Sequence, residues 1–365
     1  MKIVVLGAGN GGCITALRFG WETRKVHGIE VELIYNPEIP AEKVGQGTFP
    51  SVPALLDNTL GFNWYNNRIH ATPKSGIMYE GWGKVNEKCF HSFPPNSMAM
   101  HYCPSDLQNA ILKSGHFKVS EGDVPDPQEV DADYVFDCRG TPKDFTEYNT
   151  LINPINSVIL AKPNWDTTTT FWTRSVTTPN GWAFIIPTQT SSNAVGYLYN
   201  KDITSKEDAE KNLLEMFDVE VTRHLNFRNY VAKNPIIDGR IFLNGNRLFF
   251  LEPLEANAIQ AYMEVNFFIF KQIISKEKTS QETSDRILRM IEEIQNFILW
   301  HYYFGSKYDT SFWSYASNLS FKDPNFNLIL KEIKRGDDVI HSNKLYGLWH
   351  PSSVDNWYRG MNLTS

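Results

Sequence analysis

The sequence contains few cysteines, and none of them is spaced as in a zinc site. Its four cysteines are Cys13, Cys89, Cys103 and Cys138, scattered along the chain without a C-x-x-C pair. This pattern argues against both a structural zinc site and a disulfide framework. We therefore expect a protein without a bound metal ion, in a reducing compartment such as the cytoplasm.

A long apolar run and an excess of basic residues are also missing. No stretch approaches the roughly 18 consecutive apolar residues of a membrane-spanning helix, and glycines interrupt the apolar run at the N-terminus after a few residues. The formal net charge of -6 gives no indication of nucleic acid or an anionic membrane as a partner. We expect a soluble cytoplasmic protein that binds neither, with 365 residues to build a large core.

The N-terminal segment KIVVLGAGNGGCITALRF predicts a buried strand, a glycine-rich turn and a helix. Gly7, Gly9 and Gly12 have the G-x-G-x-x-G spacing of a dinucleotide-binding site, in which a pyrophosphate sits at the helix N-terminus. The alternative is a glycine-rich turn in another α/β protein. The next strand, VELIYNP, ends at Tyr35 and Asn36 instead of the acidic residue that usually binds the adenosine ribose. Two interpretations therefore stay open. The site binds a cofactor weakly and exchanges it, or the site has lost the ability to bind a cofactor.

Three later segments indicate how the rest of the chain is organised. YVFDCRG, residues 134–140, predicts a strand that ends in a glycine. In two-dinucleotide flavoproteins such a strand returns to the sheet beside the first one, and an ordinary parallel strand is an equally good alternative. Residues 171–199 alternate apolar and polar positions around an Asn180-Gly181 turn, which predicts an antiparallel hairpin in a separate sheet. After residue 255 the apolar spacing becomes helical.

Five segments then add up to a recognisable set of motifs. They are KVGQGTFP at 43–50, HATPKSGIMYEGW around Lys74, WAFIIP at 182–187, GNRLFFLEPLEANA at 245–258 and FILWHYYFGSKYDTSFW at 297–313. Together with the N-terminal fingerprint, they resemble the signatures of the flavin-dependent halogenases of the tryptophan halogenase family. The likeness runs from Gly7 to about Met361.

The resemblance implies an α/β fold built on an FAD-binding, two-dinucleotide Rossmann-type domain of the p-hydroxybenzoate hydroxylase kind. That domain would carry an inserted antiparallel sheet and be followed by a C-terminal helical subdomain. We predict the flavin-binding domain at residues 1–260, the inserted sheet at about 150–235, and a mainly helical substrate subdomain at 261–365.

The resemblance also implies a reaction. FADH2 and O2 would oxidise a halide to hypohalous acid, which would reach Lys74 through an internal tunnel and halogenate an aromatic small molecule by electrophilic substitution. A desolvated lysine with a lowered pKa suits this role, whereas an exposed lysine at a strand edge is the plain alternative. Glu255 would orient the oxidant or accept the proton of the cationic intermediate, and its alternative role is to cap the next helix. We interpret Glu252 as structural.

Contacts to the cofactor, the halide and the substrate follow from the same resemblance. The residues assigned to FAD are Gly7, Gly9, Gly12, Gly45, Gln46, Gly47, Thr48, Asn246 and Pro253. The halide, which is chloride, bromide or iodide, would be held by the backbone N–H groups of Asn257 and Ala258. A His-x-Phe pair that sandwiches the substrate in the family is assigned to His101 and Tyr102, with Trp357 as a further stacking surface.

No second nucleotide fingerprint for NAD(P)H is visible, so the reduced flavin should come from a separate flavin reductase. An indole or phenol-like substrate is favoured over free tryptophan, and a homo-oligomer is compatible with the sequence. Two alternatives stay open. The protein could be a flavin-dependent aromatic monooxygenase, or a catalytically weakened flavin-binding homologue with an interaction role.

Overall fold

A computed structural model gives the fold of the chain and describes residues 1–83, 88–94, 96–191, 193–319, 327–328, 331–332 and 348–360. The strands are β1 (Lys2–Leu6), β2 (Glu30–Tyr35), β3 (Gln46–Gly47), β4 (Thr72–Lys74), β5 (Gly76–Glu80), β6 (Lys88–Ser92), β7 (Ala99–Tyr102), β8 (Lys118–Glu121), β9 (Tyr134–Asp137), β10 (Tyr148–Thr150), β11 (Ser157–Pro163), β12 (Thr173–Thr178), β13 (Gly181–Ile185), β14 (Val195–Tyr199), β15 (Val219–Asn226), β16 (Tyr230–Ala232), β17 (Ile236–Ile237), β18 (Ile241–Leu243) and β19 (Phe249–Phe250). The helices are α1 (Asn10–Thr23), α2 (Ser51–Leu60), α3 (Pro104–Leu112), α4 (Lys206–Met216), α5 (Ala258–Ile273), α6 (Ser280–Tyr303), α7 (Ser311–Ser317) and α8 (Pro351–Gly360).

A six-stranded sheet in the order β17-β18-β9-β1-β2-β8 contains the N-terminal strand and the glycine-rich turn that follows it. Strand β1 pairs in parallel with β2 on one side and β9 on the other, as the sequence predicts. The turn after β1 depends on its glycines: Gly7 has φ +94°, and a Cβ on Gly12 would lie 1.8 Å from the Gly7 carbonyl oxygen. Any side chain at position 12 would therefore push α1 off the sheet.

A second sheet has seven strands in the order β15-β11-β14-β13-β12-β5-β6. The predicted hairpin is present as β12 and β13, paired antiparallel up to Thr178 and Gly181. The predicted insertion at about 150–235 is too narrow, because β5 and β6 also belong to this sheet. The sheet is also mixed instead of antiparallel, since β5 pairs in parallel with β12.

A small three-stranded sheet, in the order β3-β7-β4, joins two segments of the flavin-binding motifs. Strand β7 pairs with β3 through Gly47 and His101, and with β4 through Lys74 and Ala99. Gly47 and Lys74 therefore lie on the two strands that flank β7.

The C-terminal part of the described chain is mainly helical, and residues 320–326, 329–330, 333–347 and 361–365 of the predicted subdomain 261–365 lie outside the described ranges. Helix α6 begins with a capping box of Thr279 and Glu282. Its apolar side chains Ile287, Met290 and Ile291 are buried in the core. None of the described helices is long and apolar enough to cross a bilayer.

Glu252 joins the seven-stranded sheet to α6. The carboxyl group is fully buried and accepts hydrogen bonds from the Tyr302 hydroxyl at 2.6 Å and from Trp182 Nε1 at 3.4 Å. Its other oxygen, Oε2, has no partner among the described residues. Burial raises the pKa of Glu252 to about 8, against the lowering effect of the bonds from Tyr302 and Trp182. The side chain is therefore mostly protonated at neutral pH, which fits the structural role expected for it.

We predict that Glu252→Gln changes how stability depends on pH. Between about pH 4.5 and about pH 8 the folded chain holds a proton on Glu252 that the unfolded chain has lost. The contribution of Glu252 to the free energy of unfolding therefore falls as the pH rises, by at most about 1.4 kcal/mol per pH unit. Glutamine is neutral throughout, so urea denaturation should show the variant gaining stability relative to the wild type across this window. A constant difference between the two proteins would contradict the prediction.

Candidate active site

Two cavities meet at the junction of the sheets and α5. The larger has a volume of about 480 Å³ and extends from the N-terminus of α1 to the segment before α5. The smaller has a volume of about 210 Å³ and lies beside β4 and β6. Ile77 and Glu255 line both cavities, so their side chains belong to a common wall.

The larger cavity has the features of a dinucleotide site. Six of the residues predicted to contact FAD line it: Gly9, Gly45, Gln46, Gly47, Asn246 and Pro253. Helix α1 begins directly after Gly9 and has no acidic residue in its first turn. A Cβ built on Gly9 would meet no atom within 4 Å, so the backbone there faces open space. The residues present therefore fit a bound pyrophosphate group of FAD.

The other three predicted contacts lie behind the cavity wall. Gly7 and Gly12 shape the turn and the packing of α1 and do not line the cavity. We correct the prediction that Thr48 contacts FAD, because its side chain does not line the cavity. The side chain is buried and hydrogen-bonded to the backbone of Met100 at 3.1 Å. Its carbonyl oxygen instead accepts a hydrogen bond of 3.1 Å from Lys74 Nζ. Thr48 therefore supports the lysine.

Lys74 lies between the two cavities. Its side chain is fully buried and lines the smaller cavity, which excludes the alternative of an exposed strand-edge lysine. A Cβ built on Gly47 would lie 3.1 Å from Lys74 Nζ, and Gly47 itself lines the larger cavity. Burial lowers the pKa of Lys74 to about 8, although the charge of Glu255 opposes the shift. The ammonium group is therefore close to its titration point at neutral pH.

Glu255 has a left-handed backbone, with φ +71°, followed by Ala256 with φ +53°. Its Oε1 accepts hydrogen bonds from the Tyr79 hydroxyl and from His301 Nε2, the latter at 2.9 Å. Burial raises its pKa, but the hydrogen bond and charge of His301, the charge of His91 and the Tyr79 bond lower it to about 2. The alternative role of Glu255 as a helix cap is wrong, because α5 begins only at Ala258.

The predicted halide contacts, Asn257 and Ala258, both line the larger cavity. They stand at the start of α5, where no side chain caps the helix. Backbone N–H groups and the helix dipole at such an end favour an anion. The left-handed backbone conformation, which favours glycine, lies three and two residues earlier, at Glu255 and Ala256. Ala258 therefore needs no positive φ.

The predicted substrate contacts His101, Tyr102 and Trp357 line neither cavity. His101 and Tyr102 lie on β7, the buried central strand of the small sheet, where His101 Nε2 is 2.9 Å from Thr173 Oγ1. Trp357 is fully buried and packs on the His301 ring, with centroids 4.4 Å apart. The structure therefore contradicts their predicted role as stacking surfaces.

His91 and Phe93 line the smaller cavity, where His101 and Tyr102 were expected. The segment His91-Ser92-Phe93 has the His-x-Phe spacing of the family motif, so a signal was present in the sequence. The sequence did not lead us to predict Tyr79 and His301 as site residues, although Tyr79 lies in the motif HATPKSGIMYEGW and His301 in FILWHYYFGSKYDTSFW. Burial lowers the pKa of His91, as do the charges of His301 and Lys74, while Glu255 opposes them. His91 is therefore a neutral ring at physiological pH.

The combination of groups defines the chemistry that is available. A buried amine and an ionised carboxylate line a small, partly aromatic cavity next to a dinucleotide-shaped one. Among the described residues, no group of three histidine, cysteine, aspartate or glutamate side chains could hold a metal ion. The arrangement places a proton donor and an ionised proton acceptor beside the same cavity.

Comparison with known proteins gives low sequence identities and a close match of fold. Tryptophan 7-halogenase RebH from Lentzea aerocolonigenes is 26% identical over 158 residues, which is 42% of this chain and 30% of RebH. The aligned stretch thus spans less than a third of that curated relative. The crystal structure of tryptophan 6-halogenase SttH from Streptomyces toxytricini matches 100% of this chain and 90% of its own, at 18% identity and a TM-score of 0.79. The flavin-dependent halogenase BrvH from Brevundimonas sp. BAL3 matches 99% and 89%, at 17% identity and a TM-score of 0.81.

The family assignment depends on a broader match. The family model for tryptophan halogenases covers residues 2–114 and 105–364, which is nearly the entire chain. The solved structures share its α/β architecture with several mixed sheets and C-terminal helices. The chain belongs to the tryptophan halogenase family.

Proposed function

We propose that the protein is a flavin-dependent halogenase that halogenates a small aromatic molecule in the smaller cavity. The main support for this proposal is the wall shared by the two cavities. Glu255 lines both cavities, and Lys74 lies directly behind Gly47. An oxidant formed in the larger cavity would have only this wall to pass before it reached a substrate.

The larger cavity would hold FAD and the halide. When bound and reduced, FAD would supply with O2 the oxidising equivalents that convert a halide ion to hypohalous acid. Gly9 and the N-terminus of α1 would hold the pyrophosphate, and Gln46, Asn246 and Pro253 would line the rest of the cofactor. The N–H groups of Asn257 and Ala258 would hold the halide. A separate flavin reductase would deliver the reduced cofactor.

Lys74 would activate the hypohalous acid. Its pKa of about 8 leaves most of the side chain protonated at neutral pH, so the ammonium group donates a hydrogen bond to the oxygen of the acid. The halogen becomes more positive, and an aromatic carbon attacks it. The carbon–halogen bond forms as the halogen–oxygen bond breaks, and the departing hydroxide takes a proton from Lys74 to become water. The neutral amine could alternatively carry the halogen as a haloamine.

Glu255 would complete the substitution. Its carboxylate is ionised, with a pKa of about 2, and it lies in a cavity where a nearby negative charge stabilises the cationic ring intermediate. That intermediate is a far stronger acid than a carboxylic acid, so the carboxylate accepts the ring proton. Return of this proton to Lys74 restores both groups. The net reaction converts the aromatic C–H and the hypohalous acid into the halogenated ring and water.

The smaller cavity favours an indole or a phenol as substrate. Its aromatic lining includes Phe93 and Trp349, and its volume is about 210 Å³. Among its described lining residues, Lys74 is the only lysine or arginine. A free amino acid would leave its carboxylate without a second cationic partner, whereas a neutral electron-rich ring needs none.

We predict that the wild-type protein, supplied with reduced FAD, oxygen and bromide, forms brominated products from a panel of indoles and phenols. Lys74→Ala should lose this activity, because no other lysine among the described residues lines either cavity. Lys162→Ala is the matched control, since Lys162 is exposed on β11. Mass spectrometry of the products decides the outcome. Hydroxylated products from the wild type would indicate a monooxygenase, and bromination by Lys74→Ala at the wild-type rate would contradict the role of the lysine.

We predict that bromination declines above about pH 8 as Lys74 loses its proton. The neutral amine no longer donates to the oxygen of the acid, so kcat/KM should fall about tenfold per pH unit on the alkaline side. Measurement in single turnovers of pre-reduced enzyme separates this effect from flavin reduction. A profile that stays flat to pH 10 would show that the ammonium form is not required.

We predict that Glu255→Gln lowers the bromination rate by about 100-fold or more, because the amide can neither stabilise the cation nor accept its proton. Glu252→Gln is the matched control, since Glu252 is mostly neutral in the folded protein and glutamine has nearly the same shape. The control should stay within a few-fold of the wild type. Equal losses in both variants would indicate a packing effect at this segment.

A further inference from the structure

His301 has a defined protonation pattern that follows from its contacts. The ring is fully buried on α6, and its Nδ1 lies 2.7 Å from the carbonyl oxygen of Phe297. A carbonyl oxygen only accepts hydrogen bonds, so Nδ1 must carry a hydrogen. The other ring nitrogen, Nε2, would then be an acceptor in a neutral ring.

Nε2 nevertheless lies 2.9 Å from Oε1 of Glu255. Two acceptors at this distance repel each other unless a proton lies between them. The His301–Glu255 pair therefore holds one proton more than a neutral ring and an ionised carboxylate would. With the carboxylate ionised, the ring is an imidazolium, and the contact is a charge-assisted hydrogen bond.

The two carboxylate oxygens of Glu255 have different surroundings. Oε1 accepts from both His301 Nε2 and the Tyr79 hydroxyl. Among the described residues no hydrogen bond reaches Oε2. Because Glu255 lines both cavities, Oε2 is the oxygen left for a ligand.

We propose that His301 is a positioning residue, which together with Tyr79 fixes one oxygen of Glu255 and presents the other, ionised, to the substrate and Lys74. This inference depends on the proposed function, because it assigns to His301 the task of keeping Glu255 ready for the halogenation step. His301 itself touches neither cavity, so it acts only through Glu255.

Other charged and titratable groups surround the pair from each packed element. Lys74 on β4, Tyr79 on β5 and His91 on β6 face Glu255, and His350 lines the smaller cavity. Among the described residues that face Glu255, Lys74 would be the remaining cation if His301 were replaced by a neutral residue. Burial would then raise the pKa of the carboxylate with less opposition, by about one to three pH units.

The test compares His301→Gln with the wild type over a range of pH. Glutamine retains a hydrogen-bond donor but removes the positive charge. We expect the acid side of the kcat/KM profile for bromination to move upward from about pH 2 by about one to three pH units, so that the activity lost at acid pH is regained by about pH 6. A loss of equal size at every pH would show a packing role and would overturn the proposal.

The chain offers a matched control in a second histidine–glutamate pair. His224 Nε2 lies 3.0 Å from Glu210 Oε2, and neither residue lines a cavity. His224→Gln should leave the pH profile of bromination unchanged. Tyr79→Phe removes the other donor to Oε1 without removing a positive charge, so its acid limb should move less than that of His301→Gln.

A spectroscopic readout separates this inference from the proposed function. Carbon-13 NMR of labelled glutamate follows the ionisation of Glu255 in flavin-free protein, with the resonance assigned through Glu255→Gln. Over the range of pH in which the fold is retained, the signal should stay ionised in the wild type and titrate at higher pH in His301→Gln. An unchanged titration would overturn the inference, even if bromination is observed. A shifted titration without any bromination would support the pair and contradict the proposed function.

Discussion

An ionised carboxylate in the wall between two cavities is the constraint on which the site depends. Removing a carboxylate from water costs several kcal/mol unless charges and hydrogen bonds replace the solvent. The fold provides these partners from separate elements: His301 from α6, Tyr79 from β5 and Lys74 from β4. The left-handed backbone at Glu255 turns the chain toward them just before α5 begins. One buried charge thus has partners on three separate elements of the fold.

The two glutamates of the segment LEPLEA have opposite states because their partners differ. Among the described residues, the carboxyl group of Glu252 accepts hydrogen bonds from the neutral donors Tyr302 and Trp182, so burial dominates and raises its pKa to about 8. Glu255 faces cationic groups, and its pKa falls to about 2 although it is equally buried. The neutral acid holds the sheet against α6, and the charged one faces the cavities. Identical side chains three residues apart thus differ in protonation state because their surroundings differ.

Local patterns made much of the fold predictable, whereas the substrate site required knowledge of long-range pairing. The glycine turn after β1 and the β12–β13 hairpin depend on residues that are close in sequence, and both predictions were confirmed. The predicted extent of the second sheet was wrong, because β5 pairs with β12, which lies nearly a hundred residues later in the sequence. The His-x-Phe pair was assigned to β7 instead of His91 and Phe93, since sequence does not reveal which strand faces a cavity and which is enclosed.

We propose that the oxidant passes through the common wall at Glu255 and Gly47 without leaving the protein. The most direct test adds excess glutathione, which destroys hypohalous acid in solution, to a single turnover with bromide and an indole. A parallel sample of substrate with added hypobromous acid establishes that the quench is complete. If the oxidant stays inside the protein, the enzyme reaction should give the same yield of brominated indole with and without glutathione. Loss of the product in the presence of glutathione would contradict it.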